Sequence, residues 1–166
     1  MRIIITVIVC LALAGFGAVG FIYSGIYNVG ATWQDDPVTA WVLHQTFVHS
    51  AARRAQRIQV PPNLETPDAV QSGARFFSHN CAVCHGAPGQ QRTAISQGML
   101  PQPPDLLGAN RTNDLAEVFW IIKSGVRMTG MPSFGKTQSD EQIWSLAAFL
   151  HKARGIAPEE YKALAK

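Results

Sequence analysis

The chain has 166 residues, 47% of them apolar and 15% charged, with a formal net charge of +3. That length holds one domain of ordinary size and an appendage rather than two full domains, and the excess of apolar over charged residues excludes a disordered or acidic-tail protein. The basic residues are dispersed, which leaves nucleic acid without a footprint, and three cysteines are too few for a disulfide framework.

From Ile3 to Tyr27 there are 25 residues without an Asp, Glu, Lys, Arg or His. As a helix this run is about 37 Å long, enough to cross a hydrocarbon core of about 30 Å with some tilt. Arg2 is the charge on the short N-terminal side, so the positive-inside tendency keeps that end in the cytoplasm and exports everything after Tyr27. A cleaved secretory signal is the competing reading, with Ala12-Leu13-Ala14 as the cleavage site, but it leaves the apolar stretch from Phe16 to Tyr27 at a new N-terminus. The uncleaved anchor is therefore expected. Cys10 then serves as an apolar membrane residue, since Val7-Ile8-Val9 is a poor context for lipid attachment.

Asp36-Pro37 reads as a helix cap followed by a first-turn proline, and no breaker appears before about Ile58. Trp41, Val48, Ala51, Ala52 and Ala55 fall near one face, with Arg53, Arg54 and Arg57 mostly off it. Three placements suit such a helix: on the membrane surface, on the globular domain, or on a partner subunit. His44 and His49 within it are about 140° apart around the axis and cannot chelate one ion from one face.

Val60-Pro61-Pro62-Asn63 closes this segment and Thr66-Pro67-Asp68 opens another helix. The expected organisation is a transmembrane anchor at 1–27, a juxtamembrane helix and proline linker at 28–63, and the functional domain at 64–166. Inside that domain helices are expected at 67–80, 114–124 and 139–153, separated by an irregular stretch to about 112 and a loop at 125–138. No alternating β-branched run argues for a sheet, so the fold class is all-α.

Cys81-Ala82-Val83-Cys84-His85 carries the chemistry. Two thiols spaced in this way add across the two vinyl groups of a haem, and the next residue supplies an imidazole to the iron. A structural zinc site needs a second ligand pair, which the chain lacks, and a thioredoxin-type pair needs a βαβ context. The sixth ligand is sought among Met99, Met128 and Met131. Met99 follows the attachment site closely, whereas Met131 stands in Thr129-Gly130-Met131-Pro132, a breaker-rich loop between two helices. Met131 is the expected ligand and Met128 its rival.

In these residues the chain resembles the membrane-anchored monohaem class I c-type cytochromes, over about residues 67–155. The resemblance implies a class I cytochrome c fold around one covalent haem c, preceded by the transmembrane helix and the extra exported helix. Gly73 and Phe77 match the glycine and aromatic that let the first helix cross the last, where Trp144 and Leu150 are partners. Pro103-Pro104-Asp105-Leu106 resembles the proline loop whose carbonyl accepts the N–H of the ligating histidine, a role that falls to Pro104. His85 and Met131 are then the metal ligands, and Cys81, Cys84 and Pro104 complete the cofactor site. For Trp120 core packing is expected rather than a contact with a haem propionate. Across 86–138 five basic side chains outnumber three acidic ones, a weak bias toward an acidic docking surface.

The implied function is one-electron transfer without a catalysed reaction, by a tethered shuttle or a fixed subunit of a larger oxidoreductase complex. Its partners are the membrane and redox proteins, linking a membrane or periplasmic dehydrogenase to a respiratory or photosynthetic acceptor. Its place is the inner membrane of a bacterium, with the haem domain on the periplasmic side. The rival function, a redox or gas sensor or a weak peroxidase, needs a labile or absent bond from Met131 to iron.

Overall fold

The computed structural model describes residues 1–166 and divides into two compact units, Met1–Trp33 and Gln34–Lys166. It is helical throughout, without a β-strand. The first unit is α1, Arg2–Ser24, which ends at Gly25 in the left-handed conformation with φ 65°. None of its residues is buried by protein, and its length and apolar composition suffice to cross a membrane.

The second unit begins with α2, Pro37–Ala55. The Asp36 carboxylate accepts the N–H groups of Val38 (3.0 Å) and Thr39 (3.1 Å), satisfying two of the first-turn donors that a helix leaves open. The regular helix stops at Ala55, three residues short of the expected end, and one further turn carries the chain to Ile58. Of the three placements that suited this helix, the structure shows the second. It packs on α6, Leu115–Ser124, with Ala51 fully buried and Ala55 nearly so, their small side chains letting the helices approach closely.

The core lies where α3, Pro67–Asn80, crosses α7, Asp140–Lys152. Val70, Gly73, Ala74 and Phe77 form one buried stripe of α3 at the helical spacing of three and four. At Gly73 a Cβ would collide with the Ser145 carbonyl oxygen and come within 2.7 Å of Phe149 Cβ, so only glycine permits this crossing. The Phe77 and Phe149 rings meet at 5.6 Å, and Phe119 of α6 stacks on Trp144 of α7 at 3.9 Å and 14°. α7 starts from a capping box between Ser139 and Gln142. Phe119 thus holds the core position, and Trp120 is half-buried beneath α2, the Arg54 guanidinium 5.5 Å from its ring centre. The short helices α4, Ala82–His85, and α5, Ala94–Gln97, lie in the stretch expected to be irregular. A final helix, α8, Pro158–Leu164, was not expected; it packs on α3 and buries Tyr161 against Phe77.

Candidate haem site

Cys81, Cys84 and His85 occupy a single helical turn. The Cys81 carbonyl accepts from both Cys84 N (3.0 Å) and His85 N (2.9 Å), and Gly86 ends the turn at φ 77°. Both thiols are free of disulfide bonding. Burial, with a smaller contribution from Cys84, pushes the Cys81 thiol up to about 12. It is therefore a thiol and not a thiolate at neutral pH.

The His85 ring is oriented from outside its own turn. Its Nδ1 lies 2.8 Å from the carbonyl oxygen of Pro104. A carbonyl only accepts, so Nδ1 bears the proton and Nε2 keeps its lone pair. Burial holds the imidazole below its ordinary pKa; the Pro104 bond opposes this, Arg111 and Arg92 reinforce it, and Asp105 opposes it again. The Asp105 carboxylate accepts from Leu107 N at 3.0 Å, turning the chain just after Pro104. Buried Asn113 ties the next residue to the core, donating to the carbonyls of Leu106 (2.9 Å) and Leu150 (2.7 Å).

Met131 packs on the core cluster that also contains Cys81. Its N–H donates to Thr129 Oγ1 (3.1 Å), its carbonyl accepts from Val126 N (3.2 Å), and Thr129 Oγ1 donates to the Val126 carbonyl (2.8 Å). The rival Met128 is 88% exposed, on a left-handed backbone with φ 60°. Met99, which the spacing set aside, lies with its methyl against Gly130 in the same loop. His44 and His49 are both exposed on α2, away from this cluster.

Sequence reasoning missed the side chains that hold the attachment turn in place. A four-residue helix leaves its last carbonyls without helical partners. Thr93 Oγ1 donates to the Val83 carbonyl and Ser96 Oγ to that of Cys84. Arg92 Nη1 donates to Ser96 Oγ (3.3 Å) and to the carbonyl of Pro103 (2.7 Å). The only trace of this in the sequence is Thr93 followed by Ser96, a helix-capping pattern.

The donor chemistry fits the group that C-x-x-C-H implies. Nowhere do three or more His, Cys, Asp or Glu side chains converge to hold a metal ion, and His85 beside two thiols spaced as C-x-x-C suits a porphyrin, which brings its own nitrogen ligands. A cavity of about 360 Å³ opens beside His85, bounded by Arg92, Asp105, Gly108 and Ile156, and neither thiol nor Met131 lines it.

Three relatives share part of this sequence. The gluconate 2-dehydrogenase cytochrome c subunit of Pantoea cypripedii is 27% identical over 106 residues, covering 58% of this chain and 23% of the relative. The quinohemoprotein alcohol dehydrogenase of Comamonas testosteroni is 29% identical over 147 residues, 82% of this chain and 19% of the relative. The cbb3-type cytochrome c oxidase subunit FixP of Azorhizobium caulinodans is 27% identical over 114 residues, 69% of this chain and 37% of the relative. The chain thus spans between 19% and 37% of the length of these relatives. Residues 68–150, half of the chain, match the family described as "Cytochrome C oxidase, cbb3-type, subunit III". That match begins with α3 and ends within α7, enclosing the attachment turn, the proline loop and the Met131 loop, and with it the chain belongs to this family of c-type cytochromes, which carry haem c.

Proposed function

We propose that this chain is a membrane-tethered electron carrier whose domain at 64–166 holds one haem through Cys81 and Cys84, with His85 and Met131 as axial ligands. The observation that carries this reading is the bond from His85 Nδ1 to Pro104, which leaves Nε2 as the metal-binding nitrogen and raises the basicity of the ring. A bound haem supplies a one-electron couple between ferric and ferrous iron. The polypeptide does the rest. The two cysteines fix the porphyrin edge, and Pro104 keeps the imidazole from rotating. The Met131 thioether would be the second protein ligand to the iron and would favour the ferrous state.

The relatives' names, a dehydrogenase cytochrome subunit and an oxidase subunit among them, support a place beside a dehydrogenase or an oxidase. α1 anchors the chain in the inner membrane of a bacterium, with the segment at 28–63 leading to a haem domain on the periplasmic side. Anchoring raises the effective concentration near membrane partners. The docking of α2 on α6 favours a fixed subunit, because a simple leash needs no folded and packed helix.

The test is purification of the full-length chain from native membranes in mild detergent. One haem should survive denaturation covalently bound, with a low-spin spectrum and a Met–iron charge-transfer band in the oxidised protein. Met131→Ala should abolish that band and Met128→Ala should keep it. An oxidoreductase should co-elute in stoichiometric amount, and elution alone would replace the fixed subunit by a tethered shuttle. A high-spin iron open to added ligands would replace electron transfer by sensing or peroxidase chemistry.

A further inference from the structure

The contacts around the attachment turn close into a ring. His85 Nδ1 donates to the Pro104 carbonyl, and Pro104 is bonded to Pro103. The Pro103 carbonyl accepts from Arg92 Nη1, which also reaches Ser96 Oγ; Ser96 in turn donates to the carbonyl of Cys84, the residue before His85. Ser96 is fully buried and Pro103 is buried, Cys84, His85 and Arg92 are half-buried, and Pro104 is exposed, so the ring is shielded from solvent at its Ser96 and Pro103 side. One guanidinium therefore links the two segments that must stay in register for the imidazole to keep its orientation. No other side chain is bonded to the carbonyl of Pro103, and proline supplies no N–H by which the backbone of 103–104 could be held.

From this geometry we propose that Arg92 is the positioning residue of the proximal ligand, clamping the proline loop to the attachment turn and holding a fixed positive charge beside His85. This rests on the haem reading above. Two effects follow, and they separate by substitution. A cation near the iron disfavours the ferric state, which carries the extra positive charge, and so raises the reduction potential. Both bonds leave Nη1, whose two N–H directions are fixed by the planar guanidinium at the end of its stem, a placement that the shorter, freely rotating ammonium of a lysine does not reproduce. Charge and clamp are thus distinct properties of one side chain.

The experiment uses the full-length holoprotein in detergent and compares wild type with Arg92→Lys, Arg92→Gln and Ser96→Ala. Its readouts are the midpoint potential and the hydrogen exchange of the His85 Nδ1–H, followed by NMR in the reduced, diamagnetic state. Arg92→Gln should lower the reduced-to-oxidised ratio at a fixed electrode potential by about threefold to tenfold, and speed Nδ1–H exchange by about twofold to tenfold, the range that corresponds to loss of one net hydrogen bond. Arg92→Lys should restore the ratio but not the slow exchange. Ser96→Ala, which cuts the ring and leaves the charge in place, should speed exchange with little change in the ratio.

Unchanged exchange in both Arg92→Gln and Ser96→Ala overturns the clamp, and an unchanged ratio in Arg92→Gln overturns the charge effect. If Arg92→Gln fails to assemble, Arg92→Lys and Ser96→Ala still decide the clamp. A wild-type chain without covalent haem, or one whose iron does not bind His85, brings down the haem reading itself, and does so before any variant is compared.

Discussion

Gly125 shows how closely the backbone around Met131 is specified. It stands at φ 69°, and a Cβ there would lie 2.7 Å from the Pro132 carbonyl carbon and from Ser133 N, atoms that cannot yield as a flexible side chain does. Gly125→Ala should cost about 2–3 kcal/mol through strain and crowding and weaken the Met–iron band, checked by denaturant unfolding of the holoprotein together with its visible spectrum. Met128 presents the opposite case, a side chain on a left-handed backbone that packs on nothing. Met128→Gly should stabilise the fold by up to about 1 kcal/mol in the same assay and leave the band intact. Residues of the site differed in how far the sequence announced them. Cys81, Cys84 and His85 are contiguous, so their chemistry is visible in five letters. The acceptor on Pro104 lies nineteen positions from His85 and was reached only through resemblance. Arg92 is one of the five basic side chains counted across 86–138 and nothing in the sequence set it apart, because a side chain bonded to distant carbonyls leaves no periodic mark.

Among the elements, the long helices were legible and the short ones were not. Caps and prolines located α2, α3, α6 and α7 to within a few residues, whereas α4 and α5, of four residues each, are too short for periodicity to register. α8 did carry its signal, a first-turn proline followed by Glu159 and Glu160, but the whole helix is only seven residues long. The crossing of α3 and α7 yields a sharp expectation. Gly73→Ala should cost about 3 kcal/mol, since the intruding methyl meets backbone and a neighbouring Cβ, and a lowered denaturation midpoint would show it. The contact of α2 with α6 is equally exacting: Ala51→Leu should force the helices apart, costing about 1–3 kcal/mol, and should expose 56–66 to added protease. At its other end α2 depends on pH. The Thr39 hydroxyl, and after it the Thr39 N–H, hold the Asp36 carboxyl below its ordinary value of 3.8. A depressed carboxylate stabilises the helix start above pH 3.8, and this support disappears as the pH falls through the lower folded value. Amide exchange at Val38 and Thr39 should accelerate there in wild type and show no such step in Asp36→Asn.

For the whole molecule, every buried core residue belongs to Gln34–Lys166 and none to α1. Deleting residues 1–33 should therefore leave the visible spectrum unchanged while the protein moves from the membrane pellet to the supernatant after ultracentrifugation. The sequence marked the anchor by its missing charges, but it could not choose a seat for α2, which depends on the match between two small alanines and the surface of α6. The two sides of the site are also held by different kinds of bonding. The proximal ties run between separate stretches of chain, from 83–85 to 92–96 and on to 103–104. Those of the Met131 loop are local: Thr129 to Val126, Met131 to Thr129 and Val126 to Met131, with Ser133 bonded to Lys123 and Gly125 to Ile121 at the end of α6. Beyond its hydrogen bonds to the end of α6, packing is what seats this loop on the core. With Met131 on the iron as proposed, such a protein has a built-in order of failure. Heat, or oxidation of the Met131 sulfur, would unseat the methionine first, while Cys81 and Cys84 would still hold the cofactor. The worn-out copy would keep its colour and its tether and gain reactivity toward peroxide, which peroxide added after mild heating would reveal.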